Sequence, residues 1–164
     1  MKKYGLLYAV IFVFLSCTKQ PVEKAQKENE EKVAITTGVH GTVSFREGNC
    51  MPGIGNRTCK EYPVQRKIRI YAYTLLSQAT PSMGPVNGFY DAVSTQLIKE
   101  VQSDADGFYE AELPAGRYSL IVVENTKLYA REFEGIPPDL GINPFTITSG
   151  PLKKDVVIDY KAAY

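Results

Sequence analysis

Alternation with a period of two constrains this chain more than any other feature. From Thr37 to Phe45, Val39, Gly41, Val43 and Phe45 fall on one side, and His40, Thr42 and Ser44 on the other. Successive side chains leave a strand on opposite faces, so this is the pattern of a half-buried strand. Val64 to Tyr73 repeats it, with Val64, Ile68, Ile70 and Ala72 inward and Gln65, Lys67, Arg69, Tyr71 and Tyr73 outward. Val93 to Val101 follows, its apolar row interrupted by Lys99. Then come the inward sets Tyr109, Ala111, Leu113 and Tyr118, Leu120, Val122, and a last strand from about Lys154 to Tyr160. Glycine, proline and aspartate punctuate the runs, as turns between strands require. No stretch after residue 35 sustains the 3.6-residue period of a helix. The expectation is one all-β domain over residues 36–164, long enough to enclose a core.

The connections agree with that pattern. Ser103-Asp104-Ala105-Asp106-Gly107 predicts a hairpin turn, with aspartate accepting local backbone N–H groups and Gly107 supplying positive φ. Leu113-Pro114-Ala115-Gly116 fits a type I turn, proline at its second position and glycine at its fourth. Two longer loops, residues 75–88 and 135–144, either carry function or decorate the fold.

The N-terminus predicts where the protein resides. Met1-Lys2-Lys3 is a short positive head, followed by an apolar run from Gly5 to Leu15. That run is too short to span a bilayer and has the form of an export signal. It ends in Phe14-Leu15-Ser16-Cys17, which resembles the lipobox of bacterial lipoproteins. The resemblance implies removal of residues 1–16 and attachment of diacylglycerol to the Cys17 sulfur, hence a membrane anchor. Thr18, rather than aspartate, follows the cysteine. By resemblance to the proteobacterial sorting rule, the lipoprotein then goes to the outer membrane, on its surface or its periplasmic face. Lys2 and Lys3 leave with the signal, so 17 basic residues face 18 acidic ones and the formal charge falls from +1 to −1. A near-neutral chain has no electrostatic footprint for nucleic acid.

Residues 17–35 read as the lipidated cysteine and a charged flexible tether. TKQPVEKAQKENEEK holds one bulky apolar residue, Val22, and no aromatic ring, too little to offset the entropy of ordering it. A short charged helix from Val22 to Lys32 is the alternative. Fully extended, the tether reaches roughly 60 Å.

Within the domain, Val39-His40-Gly41-Thr42-Val43, Ser103-Asp104-Ala105-Asp106-Gly107-Phe108-Tyr109 and Leu113-Pro114-Ala115-Gly116-Arg117-Tyr118-Ser119-Leu120 succeed one another. This order, G-x-V, D-x-x-G-x-aromatic, L-P-x-G-x-Y-x-L, resembles the carboxypeptidase regulatory-like domain over roughly residues 36–160. The resemblance implies a seven-stranded Greek-key β-sandwich related to transthyretin. It implies no peptidase activity. A lone copy behind a lipobox is similar to small Bacteroidota-type lipoproteins. The family's short first loop is expanded here, from Gly48 to Tyr62, and holds two cysteines.

With Cys17 committed to lipid, Cys50 and Cys59 are an even pair in an oxidising compartment, and a disulfide is the expectation. Free thiols and a metal half-site are the alternatives. The C-x8-C spacing is not that of a thiol oxidoreductase, and one histidine in the chain leaves few metal ligands. Closing such a loop contributes about 2.7 kcal/mol by chain entropy. Asp104 and Asp106 begin like an EF-hand, but Tyr109 stands where glycine is required and Ala115 where glutamate is. A looser calcium site at that turn is the other possibility. No strained G-x-S-x-G elbow is present, and related sandwich enzymes need several histidines, so no catalytic residue, cofactor or metal is expected. The outward row Lys67, Arg69, Tyr71 and Tyr73 combines cations with aromatic faces, a candidate binding platform. The functional expectation is a non-catalytic, lipid-anchored binding or scaffolding module for an envelope or surface protein. Its alternative is a glycan or small-molecule binding module serving an outer-membrane uptake system.

Overall fold

The computed structural model describes residues 21–53, 58–82, 88–138 and 140–164. In chain order these form helix α1 (Pro21–Glu30) and strands β1 (Gly38–Asn49), β2 (Lys60–Pro63), β3 (Lys67–Ala72), β4 (Ala79–Pro81), β5 (Phe89–Val93), β6 (Leu97–Gln102) and β7 (Phe108–Glu112). They continue with β8 (Gly116–Glu124), β9 (Lys127–Tyr129), β10 (Phe133–Glu134), β11 (Gly141–Ile142), β12 (Pro144–Ile147), β13 (Pro151–Lys153) and β14 (Val156–Ala163). The architecture is β, as the period-two runs demand.

Two sheets face each other. In the first, the long strand β1 is the axis. Its first half pairs with β13 (parallel) and β7 (antiparallel), its second half with β14 (parallel) and β2 (antiparallel). The second sheet runs β4-β5-β9-β8-β3-β6, with β12 completing the side of β8 that β9 leaves open. Between them lies a core of Val39, Val43, Phe45, Ile68, Ile70, Tyr109, Ala111, Leu113, Leu120, Val122 and Ile158, among others. Apart from Ile158, whose strand was expected without an inward set, these are residues whose alternation assigns them inward. Each such side chain contributes about 1.5–3 kcal/mol on leaving water.

Both turn motifs join strands of different sheets. Ser103–Gly107 carries the chain from β6 in one sheet to β7 in the other, so it is an arch and not the hairpin expected from its residues. Asp104 Oδ1 accepts the amides of Asp106 and Phe108 at 2.9 and 2.8 Å, which closes the arch locally. Leu113–Gly116 returns the chain to β8. There Tyr118 Oη donates to Pro114 O at 3.0 Å, and a Cβ on Gly116 would meet the Tyr118 ring at 2.9–3.2 Å. The spacing P-x-G-x-Y is thus a packing requirement.

The expected strand from Val93 to Val101 is two. β5 pairs with β4 and β9, whereas β6 pairs with β3 at the sheet edge. Lys99 lies opposite Ile70 in that pairing and extends to Glu112 O at 3.2 Å. An inward-leaning charge on an edge strand discourages edge-to-edge association.

The larger departure is a second buried cluster, Tyr71, Tyr90, Ile121, Leu128, Ala130 and Ile142, on the outer face of the second sheet. Leu76, Ala79 and Val93 pack over it, and β11 contributes Ile142. The two long loops therefore contribute chain to this cover.

Candidate functional site

Cys17 lies outside the described residues. Of the tether, residues 21–30 are helical and docked. Val22, Ala25 and Asn29, spaced i, i+3, i+7 on one face of α1, are buried against the outer side of β1 and β2. Asn29 Nδ2 donates to Thr42 Oγ1 at 2.9 Å and Asp106 O at 3.0 Å. Gln26 Nε2 donates to Asp155 Oδ2 at 3.2 Å, and Glu30 is paired with Lys153. The flexible-tether reading fails here because its partners, Thr42, Asp106, Lys153 and Asp155, lie far along the sequence. For the same reason His40, Thr42 and Ser44 do not form an open face: Thr42 and Ser44 are buried and His40 is half-covered.

The row Lys67, Arg69, Tyr71, Tyr73 also differs from expectation. Tyr71 is 7% exposed, inside the second cluster. Tyr73 lies under the Arg117 guanidinium, 4.0 Å from its ring centroid, and against Gly141. Lys67 and Arg69 share the Glu100 carboxylate, at 3.0 and 2.8 Å. The row is therefore not an open tyrosine platform: Tyr71 is buried, Tyr73 is half-covered and the cations are neutralised.

The Asp104/Asp106 pair already holds a cation of the chain itself. Lys32 Nζ lies 2.8 Å from Asp104 Oδ2 and 3.0 Å from Asp106 Oδ2. The hydrogen bonds from Lys32 to the two carboxylates raise its pKa, so the turn's negative charge is met by a cation of the chain itself. Among the described residues no group of three or more His, Cys, Asp or Glu is arranged for a metal ion.

Cys50 and Cys59 form a disulfide, with Cα atoms 4.7 Å apart. The bond closes the loop at the far end of β1. Asn49 N donates to Thr58 Oγ1 at 3.0 Å, and Cys50 N donates to Ala163 O at 2.8 Å, tying loop, β1 and β14 together. Gly48 has φ +91° and its missing Cβ would overlap Thr58 O, so glycine is required there.

Between the outer edge of β14 and the segment after β9 lies a cleft of about 310 Å³, lined by Arg46, Tyr129, Ala130, Arg131, Glu132, Asn143, Val156, Val157 and Asp159. Its centre is Asp159. Tyr129 Oη donates to Asp159 Oδ1 at 2.6 Å, Tyr164 Oη to Oδ2 at 2.8 Å, and Arg131 lies 3.3 Å away. Burial pushes the Asp159 carboxyl up, but the two tyrosine hydroxyls and Arg131 outweigh it and hold the group below its ordinary range. Burial pushes Tyr129 well up, so its hydroxyl keeps its proton and donates. Arg46 is bound through two nitrogens to Glu61 Oε2, at 2.8 and 2.6 Å, and donates to Tyr164 Oη at 3.2 Å. Asn143, at φ +38°, donates through Nδ2 to the Leu120 carbonyl at 2.9 Å. The cleft is thus lined by two cationic and two anionic side chains, each paired within the chain.

None of these cleft residues was singled out by sequence reasoning. One signal exists: Asp159 is an acid inside the apolar run Val156–Tyr160. A half-buried acid in a strand needs partners, and here they come from Tyr129 and Arg131 at the end of β9 and from Tyr164 just beyond β14. No family model, curated protein or solved structure matches the chain.

Proposed function

We propose that this chain is a lipid-anchored, non-catalytic module of the bacterial outer membrane that binds or scaffolds a protein partner. The observation that carries this reading is the spacing at the N-terminus: docked helix α1 starts at Pro21, four residues after the cysteine of the lipobox-like Phe14-Leu15-Ser16-Cys17. An acyl anchor joined so closely to a rigid sandwich suits a part that must hold a fixed place at a membrane surface. We read the sandwich as Greek-key and of the carboxypeptidase regulatory-like type. Support for that comes from the L-P-x-G-x-Y block, whose tyrosine closes on Pro114 as described, and from two successive sheet-to-sheet crossings flanking β7. The cleft around Asp159 favours a second reading, a small polar ligand such as a glycan unit bound on behalf of an uptake system.

The test compares the wild-type protein with Cys17→Ser in the native host. Wild type should fractionate with the outer membrane and carry acyl mass on its N-terminal fragment, while the variant should carry no acyl mass and leave the outer-membrane fraction. Equal membrane retention of both would overturn the anchor. Protease treatment of intact cells then separates the two faces, and lysine crosslinking of the retained protein should yield a discrete protein adduct. Recovery without any adduct, together with sugar binding at the cleft, would favour the second reading.

A further inference from the structure

The path of α1 dictates where the preceding chain must lead. Glu30 meets Lys153, the sheet neighbour of His40; Gln26 meets Asp155, whose Oδ1 accepts the Thr42 amide at 2.8 Å. Beyond the helix, Ala34 N donates to Glu110, which is paired with His40, and Leu113 N donates to Thr37 O. Contacts therefore descend β1 toward Gly38 as the chain advances, and α1 runs antiparallel to β1. Going back from Asn29 at Thr42 to Pro21 climbs about 12 Å, toward the half of β1 that pairs with β2. β2 is the other strand on which α1 packs. The N-terminus of α1 thus points to the end of the sandwich closed by the disulfide.

From Cys17 to Pro21 are four Cα steps, at most about 14 Å. A sandwich held that close to an acylated cysteine rests on the headgroups, and two surfaces compete to touch them. The outer side of α1 presents Glu23 and Glu28 with Lys24 and Lys27, and Glu31 follows the helix. The end of β1 presents Met51 and Tyr164, which are 49% and 56% exposed, beside the exposed Lys60 and Lys161. Among the described residues neither lysine has an ion pair. Tyrosine with its polar tip and lysine with its long apolar stem are suited to a membrane interface, and a helix face that exposes no aromatic or large apolar side chain is not. Resting on the anchor reading above, we infer that the end of the sandwich bearing Met51, Lys60, Lys161 and Tyr164 lies on the lipid headgroups. The opposite end, with the Leu113–Gly116 and Thr148–Gly150 turns, points away from the bilayer.

The test uses the acylated full chain in nanodiscs containing a small fraction of gadolinium-chelating lipid, read by amide NMR. Signals of Gly48–Met51, Lys60 and Lys161–Tyr164 should lose more than half their intensity, while those of residues 113–116 and 148–150 keep theirs. Stronger loss in residues 23–31, or even loss throughout, overturns the orientation and leaves the anchor standing. Intact mass is measured on the same sample, and an unmodified Cys17 overturns the anchor and the orientation together. The variant Met51→Asp/Lys60→Glu/Lys161→Glu should keep its acyl group and its folded spectrum but lose the localised broadening; an unchanged pattern also overturns the proposal.

Discussion

His40 is the one histidine of the chain and lies where α1 covers the first sheet. Burial pushes its pKa below 6.5, and the neighbouring Lys153 ammonium pushes the same way; Asp155, Glu30 and Glu110 oppose them and lose. The unfolded chain therefore takes up this proton at higher pH than the folded one does. His40 costs stability as pH falls below its unfolded value of about 6.5, and the cost grows until the folded pKa is passed. Its imidazole resonance should titrate with a midpoint under that of an unfolded peptide. Urea midpoints should fall between about pH 7 and pH 5, and less steeply in His40→Gln. A folded midpoint at or above the peptide value would contradict the packing described. At this scale the alternation assigned His40 to the outer row correctly, but which element covers that row depends on contacts over a hundred residues away.

At the scale of elements, α1 shows how little local sequence decides. A ten-residue helix with two buried apolar side chains is marginal on its own. It forms because Gln26, Asn29, Glu30 and Lys32 find partners on β1, the Asp104–Asp106 arch and the segment before β14. Ala25→Asp would bury an unpaired carboxylate at that contact. Amide exchange in residues 24–31 should then accelerate about tenfold or more, a loss of at least about 1.4 kcal/mol, while β8 amides remain protected. If exchange in α1 is unchanged, the helix does not depend on docking. The stripe Val22, Ala25, Asn29 was visible but too narrow and too polar to distinguish a docked helix from a solvated linker.

For the whole molecule, the decisive fact is that the second sheet is buried on both faces around β8 and β9. Ile121 is fully buried on the outer side of β8, between neighbours Leu120 and Val122 that face the core. Ile121→Ala should cost about 2–5 kcal/mol, whereas Ile98→Ala on the exposed edge should stay within about 0.5 kcal/mol. Comparable losses at both positions in chemical denaturation would deny the second cluster. The unbroken run Leu120-Ile121-Val122-Val123 was the available sign, since a strand covered on both sides loses its alternation. Sequence alone determined the β class, most strands of the central core and the turn residues, because periodicity and turn chemistry are local properties; it made Cys50–Cys59 the expected pair only with Cys17 of the three cysteines set aside for lipid. Tertiary structure alone decided that Tyr71 is covered, that Lys32 fills the Asp104/Asp106 site, that α1 is docked and that Arg46, Arg131 and Asp159 share a cleft. Each of these depends on which distant segments meet, and side-chain alternation reports the face of a strand but not what lies against it.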